Sequence, residues 1–246
     1  NVTVTAAGDA TLTDVSAAVG DVTVTAGDDT TITAATAAAG TVTVNSAGVI
    51  IVTDATAATT LVVDNTGGVA AEDVTITDAN SATTATITSV GAVTATANTG
   101  LAAATSITAT VAENSAITAD GVADQVINLN ADSSGIALTP EVTYTLAAST
   151  VETLNLGGAT AINVAVDAAD ISTETVTNTN AAGAALTLNA AGTADLTNIA
   201  SDVTVRLGAD FDNTTLTVND GTIVALDVET AQTAGTAAVI FDHTTA

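Results

Sequence analysis

The side chains of this sequence with the chemistry to bind something are its carboxylates, and they cluster where the chain turns. Asp9 follows Gly8, and Asp28-Asp29 stand in the equivalent place twenty residues later. Further groups are Glu72-Asp73 with Asp78, Asp120 with Asp124, Asp167 with Asp170, and Asp210 with Asp212 and Asp220. Carboxylates brought within a few ångströms repel unless a cation lies between them. Calcium, which takes hard oxygen ligands, is the ion such groups suit. The plainer reading is that each Asp is a solvated turn residue, a role Asp commonly fills.

Other chemistry lacks parts. General acid–base work needs paired acids in a cleft, often with His or Lys nearby. The single histidine is His243, close to the end of the sequence, and Arg206 is the lone basic residue. The sequence predicts a partner for Arg206 in a neighbouring carboxylate such as Asp202, or in another subunit. Sugar sites favour aromatic platforms, and the aromatics are only Tyr144, Phe211 and Phe241. No nucleophile, phosphate loop or cofactor motif stands out, so the reading is not an enzyme. Without cysteine, disulfides, thiolate metal sites and thiol catalysis are excluded.

The elements that must position the acids come from a repeat. In blocks of twenty, residues 1–60 align with themselves. Val2, Val22 and Val42 coincide, as do Val4, Val24 and Val44, and then Leu12, Ile32 and Val52. Gly20 and Gly40 close two blocks. Each block holds two alternating runs, such as Val2-Thr3-Val4-Thr5 and Thr11-Leu12-Thr13, which bury one face and show threonine on the other. Such a block cannot bury its apolar face alone, but stacked blocks bury it against one another. The expectation is an all-β, elongated parallel β-solenoid, right-handed and β-helix-like. The alternative is a string of tandem antiparallel β-sandwich domains. Only Asp120-Gly121 and Asp220-Gly221 offer the tight-hairpin dipeptide that this alternative favours.

The period loosens after Thr60, although strand-like runs recur about every ten residues. The reading divides the chain into a regular solenoid over 1–130, an irregular connection over 131–141 holding the only proline, Pro140, and a continued solenoid or second β-domain over 142–246.

A formal charge of −26 makes nucleic acid an improbable partner, since that surface must be basic. Self-repulsion on this scale opposes compaction, and bound divalent cation would offset it. No apolar run of eighteen residues occurs, so no membrane insertion is expected. No basic n-region opens the sequence, and none of it reads as a signal peptide.

The Ala/Thr/Val/Asp/Gly-rich, lysine-free, cysteine-free composition resembles the lattice-forming part of bacterial surface-layer (S-layer) proteins, especially those exported by type I secretion. Val151-Glu152-Thr153-Leu154-Asn155-Leu156-Gly157-Gly158 is similar to a strand-and-turn phrase of that group. The resemblance implies a secreted, calcium-dependent solenoid that self-assembles into a sheet on the bacterial cell surface. It also implies contact with cell-surface polysaccharide through a region outside this chain. The group's glycine-rich calcium nonapeptide is absent, and Gly208-Ala209-Asp210-Phe211-Asp212 matches it poorly, so no ligand is carried over by motif. Two alternatives stand beside it. One is a repetitive adhesin or extracellular filament subunit. The other is an ice-binding solenoid, suggested by the outward rows Thr3/Thr5, Thr23/Thr25 and Thr43 with Thr11/Thr13 and Thr31/Thr33.

Overall fold

Alternating Val and Thr can bury only one face of each strand, and the chain solves this by winding. The computed structural model describes residues 1–55, 59–68, 72–79, 81–96, 100, 101, 103–119, 125–133, 141–147, 151–189, 194–208, 215–219, 226–228 and 240–244. Among them are 25 strands and no helix. The first coil is β1 (Val2–Ala6), β2 (Ala10–Leu12) and β3 (Val15–Ala17), and the second repeats it as β4 (Val22–Ala26), β5 (Thr30–Ile32) and β6 (Ala35–Ala37). The next coils hold two strands each: β7 (Thr41–Ser46) and β8 (Ile50–Val52), β9 (Thr60–Asp64) and β10 (Val74–Ile76), β11 (Thr84–Ser89) and β12 (Val93–Ala95), β13 (Ser106–Val111) and β14 (Ser115–Thr118). The pattern continues with β15 (Gln125–Ala131) and β16 (Glu141–Ala147), β17 (Val151–Gly158) and β18 (Ala161–Asp167), β19 (Thr175–Asn178) and β20 (Ala184–Asn189). It ends with β21 (Ala194–Asp195) and β22 (Val203–Leu207), β23 (Thr215–Asn219) and β24 (Leu226–Val228), and β25 (Ile240–Thr244).

Each circuit returns the chain to its starting side in the same direction, so the pairs run parallel. One sheet has nine strands, β1-β4-β7-β9-β11-β13-β15-β17-β19, and the other has eleven, from β2 through β5 and β8 to β24. Strands β21, β23 and β25 form a smaller third sheet, and β3 pairs with β6. This is a parallel β-solenoid. Every strand pair among the described residues is parallel, which overturns the hairpin-built sandwich alternative. The pairing also adds a strand that the two-strand block lacks: Val15-Ser16-Ala17 and Ala35-Thr36-Ala37 form a third side to the early coils.

Register follows the repeat. Val2 pairs with Val22, Val22 with Val42 and Val42 with Leu61, while Leu12, Ile32, Val52 and Ile76 stack in the second sheet. Val22, Val24, Ile32, Val42, Val44 and Leu61 are wholly buried. Each such side chain contributes about 1.5–3 kcal/mol on leaving water. The outward threonines stack as well, Thr3 on Thr23 on Thr43.

Both sheets run across the 131–141 segment, since β15 pairs with β17 and β14 with β16. Pro140 lies outside the described residues. Close by, Tyr144 fills the interior as one of the largest wholly buried side chains. Its hydroxyl reaches across the coil to within 2.7 Å of the Asn130 carbonyl and 3.2 Å of the Ala109 carbonyl. Burial pushes the pKa of its phenol far up, because the charged form would be desolvated.

Candidate metal centre

The turn between β1 and β2 ends on Asp9, and the turn between β4 and β5 ends on Asp28 and Asp29. Ala10 pairs with Thr30, so the carboxylates that precede these residues are stacked one coil apart. The Ala10 N–H donates to the Asp29 carbonyl at 2.8 Å, which fixes this stacking. All three side chains are exposed, and each offers one oxygen within 4.8 Å of the others. Like charges at that separation repel by about 1 kcal/mol per pair even in bulk water. A divalent cation between them reverses the sign.

The donor set is carboxylate oxygen throughout, which fits calcium, with water completing a shell of six to eight ligands. Asp29 is partly engaged already: its Oδ1 accepts the Val49 N–H of the next coil at 2.9 Å. The remaining capacity for an ion lies on Asp9, Asp28 and the second oxygen of Asp29.

The other acidic groups that lie among the described residues do not form a trio of ligands. Among the described residues the trio Asp9, Asp28 and Asp29 alone brings three potential ligands together. Asp73 Oδ1 accepts the Ala92 N–H at 3.0 Å, while Glu72 holds the Asn65 side-chain amide through its backbone carbonyl. Asp78 forms a parallel bridge with Gly100. Asp167 and Asp170 share a turn in which the Asp170 N–H donates to the Asp167 carbonyl at 3.0 Å. Asp120, Asp124, Asp210, Asp212 and Asp220 lie outside the described residues.

What sequence reasoning missed is a second use for these side chains. Asn1 Oδ1 accepts the Asp21 N–H, Asp21 Oδ1 accepts the Thr41 N–H, and Asn114 Oδ1 accepts the Thr143 N–H, at 2.9, 2.9 and 2.8 Å. With Asp29 and Asp73 these form a recurring staple, in which an Asn or Asp of one coil caps a backbone donor of the next that no strand would satisfy. Glycine makes room for it. A Cβ on Gly40 would stand 2.8 Å from Asp21 Oδ1, and one on Gly48 would collide with Asp29 Oδ1. The signal was present as an Asn or Asp followed 19 residues later by Gly, at Asn1/Gly20, Asp21/Gly40 and Asp29/Gly48.

Arg206 corrects another expectation. Its guanidinium grips Glu141 with both nitrogens, Nη1 to Oε1 at 2.6 Å and Nη2 to Oε2 at 2.8 Å. Asp202 instead accepts from Asn178 Nδ2 at 3.0 Å. Arg206 stands on β22 and Glu141 on β16, with β18 and β20 between them, so the pair spans four strands of the eleven-stranded sheet. Comparison with known proteins gives no match: no family, no curated protein and no solved structure is significantly similar to this chain.

Proposed function

We propose that the chain is an extracellular structural subunit of the surface-layer type, non-enzymatic and self-assembling, with calcium held at the turns of its first two coils. The observation that carries this reading is the Asp9–Asp28–Asp29 trio, stacked by the strict register of the solenoid with oxygens within 4.8 Å of one another. Calcium there ties adjacent coils together and lowers the charge that makes two copies repel. Secretion to a bacterial cell surface belongs to the same proposal, through the compositional resemblance.

The test is a calcium titration followed by calorimetry and thermal melting, with light scattering for assembly. Calcium at a hundred times its dissociation constant should add about 2.7 kcal/mol of stability. Asp28→Asn should remove most of that gain. Unchanged melting and unchanged particle size in excess chelator discard the calcium role.

A second reading, ice binding, draws on the register of Thr3, Thr23 and Thr43 beside Thr5 and Thr25. Thermal hysteresis in a freezing assay separates it from the first.

A further inference from the structure

The charge of this molecule is distributed unevenly. Of 27 acidic residues, the nine strands of the first face (β1 to β19) hold two, Asp64 and Glu152, and they hold no basic residue. Among the described residues most acids lie outside the strands, so each copy carries most of its repulsion along its corners and presents an almost neutral face between them.

That face is also prepared to lose water. Its outward row Thr86, Thr108, Asn128, Asn155 and Thr177 stacks in register across five coils. Asn128 Nδ2 donates to Thr108 Oγ1 at 3.2 Å, Asn155 Nδ2 to Asn128 Oδ1 at 2.8 Å, and Thr177 Oγ1 to Asn155 Oδ1 at 2.5 Å. In the neighbouring row Asn130 Nδ2 donates to Thr110 Oγ1 at 3.4 Å. Polar groups already paired along the stack cost far less to bury than groups paired only with water. Stacked amide ladders of this kind occur in dry sheet-to-sheet interfaces. Nine strands at about 4.8 Å and five to six residues of width give roughly 700 Å². Standard-size interfaces bury about 600–1,000 Å² on each partner, a range this face falls within.

We propose that this face is a self-association surface, on which a second copy of the chain packs sheet against sheet. A patch that meets itself closes a two-fold dimer, the unit from which a larger assembly can grow. The proposal rests on the assembly reading above but not on calcium.

Sedimentation velocity of the full chain tests it, in chelator and across a salt series. The expected result is a dimer that persists in chelator and strengthens with salt, because salt screens the acidic corners. Thr86→Glu with Thr108→Glu should weaken it at least tenfold, and Thr86→Glu alone, outside the amide ladder, should weaken it measurably with an unchanged melting curve. Thr31→Glu, on the other sheet, should leave the dimer intact. A wild-type chain that stays monomeric at every salt concentration overturns the proposal. So does a dimer indifferent to Thr86→Glu, or a monomer that halts ice growth through these threonines. Assembly that vanishes in chelator yet ignores these substitutions sinks this inference and leaves the calcium reading standing. A dimer that ignores chelator but yields to Thr86→Glu bears out this inference and leaves the calcium reading to the melting experiment.

Discussion

In the first three coils, backbone groups joined across the stack by the Asn and Asp staples lie 20 residues apart, and the interior is valine on valine. Around β15 to β20 the separations stretch to 27 and 29 residues, and the interior takes in Tyr144 and Asn180. Buried polar side chains of these coils reach backbone carbonyls across the interior. Asn180 Nδ2 meets two of them, Gly157 at 2.8 Å and Thr160 at 2.6 Å, and Tyr144 meets those of Asn130 and Ala109. The comparison teaches that a uniform corner lets a coil be built from small repeated side chains. The less regular coils instead place a particular donor against particular carbonyls.

Substitution should therefore have unequal effects in the two regions. Tyr144→Ala removes a large buried side chain and its two hydrogen bonds, and should cost about 3–5 kcal/mol. Ile32→Val in the regular coils should cost about 0.5–1.5 kcal/mol. Urea unfolding measures both, and equal losses would break the contrast.

Removing the bidentate clamp with Arg206→Met should cost about 2 kcal/mol, the value of a charge-assisted pair. Its side chains are 19% and 30% exposed, so salt should weaken the pair only in part. Glu141→Gln should cost less than Arg206→Met if one of the two hydrogen bonds survives. A double-mutant cycle with no coupling would remove the clamp from the account.

Alkali sharpens the comparison further. The chain has one tyrosine and neither lysine nor cysteine. The folded state holds the Tyr144 phenol above its ordinary pKa of about 10. Below that pH both states keep the proton, and the stabilisation is fully present. Above it the unfolded chain loses the proton first, so stability falls by about 1.4 kcal/mol per pH unit until the folded phenol titrates too. Tyr144→Phe should abolish that slope, and a slope that survives would assign it elsewhere.

The smallest effect expected is at the staples. Asp29→Ala should cost about 1 kcal/mol in chelator by orphaning the Val49 N–H, whereas Asp29→Asn keeps an acceptor and should be nearly neutral there. With calcium present both should cost more than in chelator if Asp29 also serves the ion.

The valine ladders were legible in the sequence because two periods coincide: alternation within a strand and twenty residues between strands. The stacking of Asp9 under Asp28-Asp29 was legible for the same reason. Strand β3 was not, since Val15-Ser16-Ala17 is too short and too small to declare itself. The partner of Arg206 was hidden because corners of unequal length erase any fixed spacing, leaving Glu141 65 residues away. Glu72, Asp73 and Asp78 are close in the chain, but a carboxylate looks the same whether it is solvated, holds an ion or hooks a backbone donor. Only in the folded chain does Asp73 declare itself, hooking the Ala92 N–H.

The staples have a mechanical consequence. Strands in this molecule lie across the stack, so a pull along it acts on inter-coil bonds that open one coil at a time. A twenty-residue coil that comes loose releases roughly 60 Å of chain. In a force–extension trace, tension applied at the two ends should produce a train of evenly spaced drops over the strict coils, followed by longer and less regular steps where the corners lengthen.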